Sequence, residues 1–163
     1  MKFVITSLYA NPCHIGHLRY INEAKKLGDY LIAVVNSDLQ VKVKGSFPFM
    51  NEKDRMEIIS NLKPVNKAVL SIDEDGTVSK TLSVIFDELL ITTAPWEDPP
   101  QFIFAKGGDR RSDANMPEAE LEVCRRYNCQ IVYGVGGFEK VQSSSELVAN
   151  AQKLNLNQDK EGV

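Results

Sequence analysis

Short apolar, β-branched runs alternate along this chain with longer stretches patterned for amphipathic helices, and this alternation constrains the fold most. Residues 2–6, 30–35, 68–72, 102–105 and 130–133 read as buried parallel strands, apolar on both faces. Between the first two, Leu18, Ile21, Ala24 and Leu27 recur at helical spacing. Residues 51–62, with Met56, Ile59 and Leu62, read the same way, as do 77–90, 117–127 and 143–154. The pattern predicts an α/β fold: a Rossmann-like parallel sheet of about five strands, right-handed crossovers and helices on both faces. Residues 1–154 form one domain in this reading, and 155–163, polar and unpatterned, a flexible tail. Residues 92–101, with Trp96 and three prolines, read as a surface excursion. Ligands of such sheets sit beyond the carboxyl ends of the strands, so the loops there are the places to search.

The chain's 163 residues suffice for one domain with its own core. Its net charge of −3 gives no global basic footprint, which argues against a nucleic-acid partner. No apolar run is long enough for a bilayer, and the start reads as a first strand instead of a signal peptide. A cytoplasmic protein with no membrane partner is expected. Cys13, Cys124 and Cys129 lack zinc-ligand spacing and are expected to be reduced and structural.

Both histidines lie in the first loop, as His14-Ile15-Gly16-His17. Gly16 permits close backbone approach, and the helix that follows points its first N–H groups into the same space. Imidazole N–H groups beside a helix start suit phosphate oxygens. Taken alone, the motif could also be a surface turn or half of a metal site, the latter without further His or Cys ligands. After the second strand come Lys42 and Lys44 on a segment read as flexible, able to bring charge over a triphosphate. Arg55 opens the next helix with a fork that fits phosphate, although a pair with Asn51 or Glu52 would explain it as well. Lys106-Gly107-Gly108-Asp109 ends the fourth strand, where glycines let a base or ribose lie on the backbone and Asp109 can accept from a hydroxyl or amine. The last loop is Gly-rich, but it follows the last strand and lacks G-x-G-x-x-G, which excludes a dinucleotide fingerprint. It closes with Gln142-Ser143-Ser144-Ser145, where three serines open a helix.

A strand followed by H-x-G-H resembles the cytidylyltransferase-like nucleotidyltransferases, which include glycerol-3-phosphate cytidylyltransferases and ADP-heptose-forming adenylyltransferases. The likeness continues through residues 23–29 and 35–38 and covers nearly the whole chain. Class I aminoacyl-tRNA synthetases share the histidine motif, but this chain is too short for one. The resemblance implies transfer of CMP or AMP from CTP or ATP to a phosphorylated sugar or polyol, with release of pyrophosphate. It implies catalytic roles for His14, His17 and Lys44. Nucleotide contacts are implied for Tyr9, Ala10, Gly16, Lys42, Lys106, Gly107, Asp109, Gln142 and Ser143–Ser145. Asn11, Asp38 and Arg55 are implied to hold the acceptor. Mg²⁺ is expected on the phosphates, with no protein metal site, and family members are often dimers.

The chain also departs from the family pattern. Leu8 and Ala10 stand where Gly and Phe are usual, Phe138 where glycerol-type members have Arg, and Val141 where they have Gly. Two alternatives follow: a nucleotide-binding module with impaired catalysis, or the same chemistry on FMN, phosphopantetheine or nicotinamide mononucleotide. Enzymes of the second group usually carry Arg after the serines, where this chain has Glu146-Leu147-Val148.

Overall fold

A computed structural model describes residues 1–93, 98–108, 110–137 and 143–161, with side chains through 154. The chain runs β1 (Lys2–Leu8), α1 (Ile15–Lys25), β2 (Tyr30–Val35), α2 (Asp38–Val43), α3 (Glu52–Ser60), β3 (Lys67–Leu70) and α4 (Ser79–Thr93). It continues through β4 (Gln101–Gly107), a 3-10 turn (Asp113–Asn115), α5 (Glu118–Arg126), β5 (Gln130–Val135) and α6 (Ser144–Glu161). The expected α/β architecture is present. All strand pairs are parallel, in the order β3-β2-β1-β4-β5. Winding reverses between β1 and β4, so the crevice for a ligand opens over those two strands.

The pleat sorts the core into two layers. Phe3, Ile5, Phe102 and Phe104 pack to one side with Leu82, Phe86 and Leu121 of α4 and α5. Val4, Leu8, Ala33 and Val35 pack to the other with Ile21 and Ala24 of α1 and Ile59 of α3. Burial on both faces is why the strands read as unbroken apolar runs. Gly28 lets the chain return from α1 directly over β1: a Cβ there would lie 2.7 Å from Val4 Cγ2 and 2.9 Å from the Lys2 carbonyl oxygen.

Three local features differ from the sequence expectation. Residues 38–43 form a short helix where a flexible segment is expected, because Ser37 and Gln40 close a capping box at its start. β3 stops at Leu70, because the chain then turns so that Asp73 can cap α4. The buried Asp73 carboxylate accepts from the Lys80 N–H at 2.9 Å and the Thr81 N–H at 3.0 Å. The last helix continues to Glu161, past the break expected at 154. Residues 155–161 contain no Gly or Pro, and a polar stretch without apolar periodicity can still be helical. No described helix is long and apolar enough to cross a membrane. Trp96 lies outside the described residues.

Candidate nucleotide site

A cleft of about 860 Å³ opens at the carboxyl ends of β1, β4 and β5, a size typical of small-molecule sites. Its described lining includes the cations Arg19, Lys44, Lys106, Arg110 and Arg111 against a single acid, Glu120. A chain of net charge −3 thus concentrates positive charge in one concavity, which favours a polyanionic ligand.

The two histidines cap α1. His14 is the N-cap, and its Nδ1 accepts the Gly16 N–H at 3.0 Å. The His17 Nδ1 accepts the His14 N–H at 3.2 Å, and the two rings lie 3.9 Å apart. A backbone N–H only donates, so each Nδ1 is unprotonated and each ring, when neutral, carries its proton on Nε2. Burial lowers the His17 pKa to about 4, helped by repulsion from His14 and Lys44. Above that value His17 is a neutral donor. Both histidines and Gly16 line the cleft. α1 is braced from below by Tyr20, whose hydroxyl donates to the Ala105 carbonyl at 2.6 Å.

The last helix meets this loop across the whole chain. Ser143 Oγ accepts the Glu146 N–H at 3.1 Å, and Ser144 Oγ donates to the Pro12 carbonyl at 3.0 Å. Ser143, Ser144 and Ser145 all line the cleft, so two helix N-termini converge where an anion would be stabilised. Gly136, at φ +87°, passes within reach of α1: a Cβ would lie 3.0 Å from Tyr20 Cα.

The structure separates the remaining expected residues. Tyr9, Lys44, Lys106 and Gly107 line the cleft. Lys44 Nζ sits 4.4 Å over the Tyr9 ring, and burial raises the Tyr9 pKa. Lys42 is exposed on α2 and is not part of the lining, because the helix fixes it away from its neighbour. Ala10 is not part of the lining either: it is fully buried in the α1-side core, at φ +49°. Asp109 and Gln142 lie outside the described residues.

Arg55, Asn11 and Asp38, expected at the acceptor, serve the protein interior. Arg55 is 1% exposed and donates to the carbonyls of Met50, Tyr9 and Asn36 at 2.9, 2.8 and 2.6 Å. Its remaining nitrogen pairs with Asp38 Oδ1 at 2.7 Å. Asn11 donates to the Phe47 carbonyl at 2.7 Å and accepts from the N–H groups of Phe49 and Met50. These contacts tie the 47–50 loop to the first loop. None of the three residues lines the cleft.

Ser7, Arg19, Arg110, Arg111 and Glu120 also line the cleft, and none of them is among the residues expected there. Glu120 had a usable signal, an acid on the otherwise apolar face formed by Leu121, Val123 and Cys124. Arg19 had none, since a basic residue on an exposed helix face is ordinary. Among the described residues no group of three His, Cys, Asp or Glu side chains could hold a metal ion.

A FAD synthase from Thermoplasma acidophilum is 36% identical over 77 residues, 47% of this chain and 53% of that one. A FAD synthase from Archaeoglobus profundus is 45% identical over 119 residues, 73% of this chain and 65% of that one. The chain thus spans about half to two thirds of the length of these relatives. A crystal structure of a lipopolysaccharide core biosynthesis protein from Thermoplasma volcanium superposes with a TM-score of 0.61 at 30% identity, covering 82% of this chain and 95% of that one. The cytidylyltransferase-like family model matches residues 10–151. Because that match runs from the first loop into the last helix, the chain belongs to the cytidylyltransferase-like family.

Proposed function

We propose that this protein is a nucleotidyltransferase that joins the AMP unit of ATP to FMN, releasing pyrophosphate. An acceptor phosphate oxygen attacks the α-phosphorus, a new P–O bond forms, and the bond from the α-phosphorus to the bridging oxygen breaks. The electron pair leaves with pyrophosphate. A phosphate monoester has a second pKa of about 6 and is largely dianionic at neutral pH, so no general base is needed. The protein has to align the reactants and stabilise charge that builds on the leaving phosphates.

The observation that carries the reading is the pair of imidazoles with both Nδ1 atoms occupied by backbone N–H groups. Each ring, when neutral, thereby carries its proton on Nε2, and both rings line the cleft beside the N-termini of α1 and α6. Lys44, which also lines the cleft and lies near enough to His17 to disfavour its charged form, adds positive charge. Mg²⁺ would enter with the nucleotide and neutralise its phosphates, a role that needs few protein ligands. FMN is favoured as acceptor by the relatives named FAD synthase. Glu146-Leu147-Val148 occupies the position where FMN-type members carry an arginine, but Arg110 and Arg111 bring guanidinium charge to the cleft from the loop after β4. A cytoplasmic location and a homodimer accompany the reading, the dimer being testable by light scattering.

A second reading, transfer from CTP or ATP to a sugar phosphate, is supported by the likeness to the lipopolysaccharide core biosynthesis protein. Pyrophosphate release with Mg²⁺, each of ATP and CTP, and each of FMN and a panel of sugar and polyol phosphates tests both. Release with ATP and FMN alone is expected. Release only with a sugar phosphate transfers the assignment to the second reading. Nucleotide binding with no release from any pair would indicate a module that has lost catalysis.

A further inference from the structure

With Arg55 enclosed in the interior, the acceptor's phosphate needs another cation. We propose that Lys106, aimed by Glu120, holds it. The inference rests on the nucleotidyl-transfer reading above. Lys106 is only 7% exposed yet lines the cleft, and its Nζ lies 3.3 Å from Glu120 Oε2 and 3.3 Å from Ser7 Oγ. The ammonium also sits 4.4 Å over the Phe104 ring. Glu120 is 3% exposed, and its other oxygen accepts the Val78 N–H at 3.1 Å. One carboxylate therefore joins the ammonium to the start of α4.

A buried ion pair is weak evidence for stability, since apolar residues of similar volume often serve as well. The pair here instead borders the cleft, where its ammonium can meet a ligand. The layering of the fold says which ligand. Lys106 follows Phe104 at the two-residue spacing of β4 and lies over its ring, on the α4–α5 side of the sheet. His14 and His17 cap α1, which packs on the opposite side. Phosphoryl and nucleotidyl displacements run with the attacking and leaving oxygens roughly in line. With the leaving pyrophosphate against the α1 and α6 termini, the attacking phosphate approaches from the other side. Lys106 is the buried cation there. Its ligand is a phosphate monoester dianion, whichever molecule carries it.

The test compares FMN with riboflavin, which lacks the phosphate, by flavin fluorescence titration of protein saturated with α,β-methylene-ATP. Calorimetry with ATP measures the nucleotide side. Lys106→Met alone leaves a buried carboxylate unpaired and risks unfolding, so the main variant is Lys106→Met/Glu120→Gln, which removes both charges. Wild type should prefer FMN by about tenfold or more, as expected for hydrogen bonds between charged groups. The double variant should bring the two flavins close to parity while changing ATP affinity by no more than about twofold. Glu120→Gln alone keeps an acceptor for the Val78 N–H but leaves the Lys106 ammonium without its carboxylate, so it should lose part of the preference together with some stability, while ATP affinity stays within about twofold.

A retained preference in the double variant, or a loss of ATP affinity in its place, overturns the inference. If wild type binds no flavin, FMN fails as the acceptor, and the same comparison is made between the active sugar phosphate and its free sugar. A wild type that distinguishes no phosphorylated acceptor from its dephosphorylated form overturns the inference as well.

Discussion

The backbone N–H of His14 donates to the Nδ1 of His17 at 3.2 Å, so the ring expected to meet phosphate also closes the first turn of its own helix. The same contact, with its counterpart from Gly16 to His14, sets the neutral tautomer that carries its proton on Nε2. Structure and chemistry are therefore separable by substitution. Gln is a natural residue at the third position of a capping box. His17→Gln should keep the cap, with a stability change within about 1 kcal/mol, while turnover falls roughly 10²–10³-fold through loss of a phosphate donor. Urea melts paired with initial rates would check both. Turnover near wild type would remove His17 from the mechanism.

His17 also makes stability depend on pH. Its folded pKa, about 4, lies below the ordinary 6.5, chiefly because burial disfavours the charged ring. The unfolded chain therefore binds the extra proton first. Stability from this group is fully present above 6.5 and declines as pH falls towards 4. Between pH 7 and pH 5 the loss should be on the order of 1 kcal/mol. His17→Gln should flatten that part of the profile, as read from urea midpoints at the two pH values.

Arg55 should behave as an interior residue. Arg55→Met leaves the Asp38 carboxylate without its cation and three carbonyl oxygens without a donor. A loss of about 3–5 kcal/mol is expected, seen as a large drop in melting temperature. A stable protein whose only defect is a raised KM for the acceptor would restore Arg55 to the acceptor site.

Gly136 holds the end of β5 against α1. At φ +87° any side chain is strained, and a Cβ would meet Tyr20 Cα at 3.0 Å. Gly136→Ala should cost more than about 1 kcal/mol and weaken ATP binding, because the cleft wall moves relative to the histidine helix. Calorimetry with ATP measures the second effect. Unchanged affinity would mean that this wall takes no part in binding.

Much of this molecule was legible in the chain itself. Periodicity located the strands and most of the helices, because residues buried on both faces of a parallel sheet must be apolar without interruption, while helices on its surface need only one apolar stripe. The placement of His14, Gly16, His17 and the serine run at the cleft was legible for a related reason: a loop and a helix start are local geometry, which nearby sequence encodes. What Arg55 and Lys106 each meet was not. Arg55 lies in the first turns of α3 and Lys106 at the end of β4, both basic residues beside strand ends, and sequence offers no way to rank them. The tertiary structure decides between them through contacts made far along the chain. The carbonyls of Tyr9 and Asn36 and the carboxylate of Asp38 enclose Arg55, while Glu120 and Ser7 hold Lys106 at the edge of the cleft. A cation's role depends on whether its donors meet protein or ligand, and packing between distant segments determines which of them it meets.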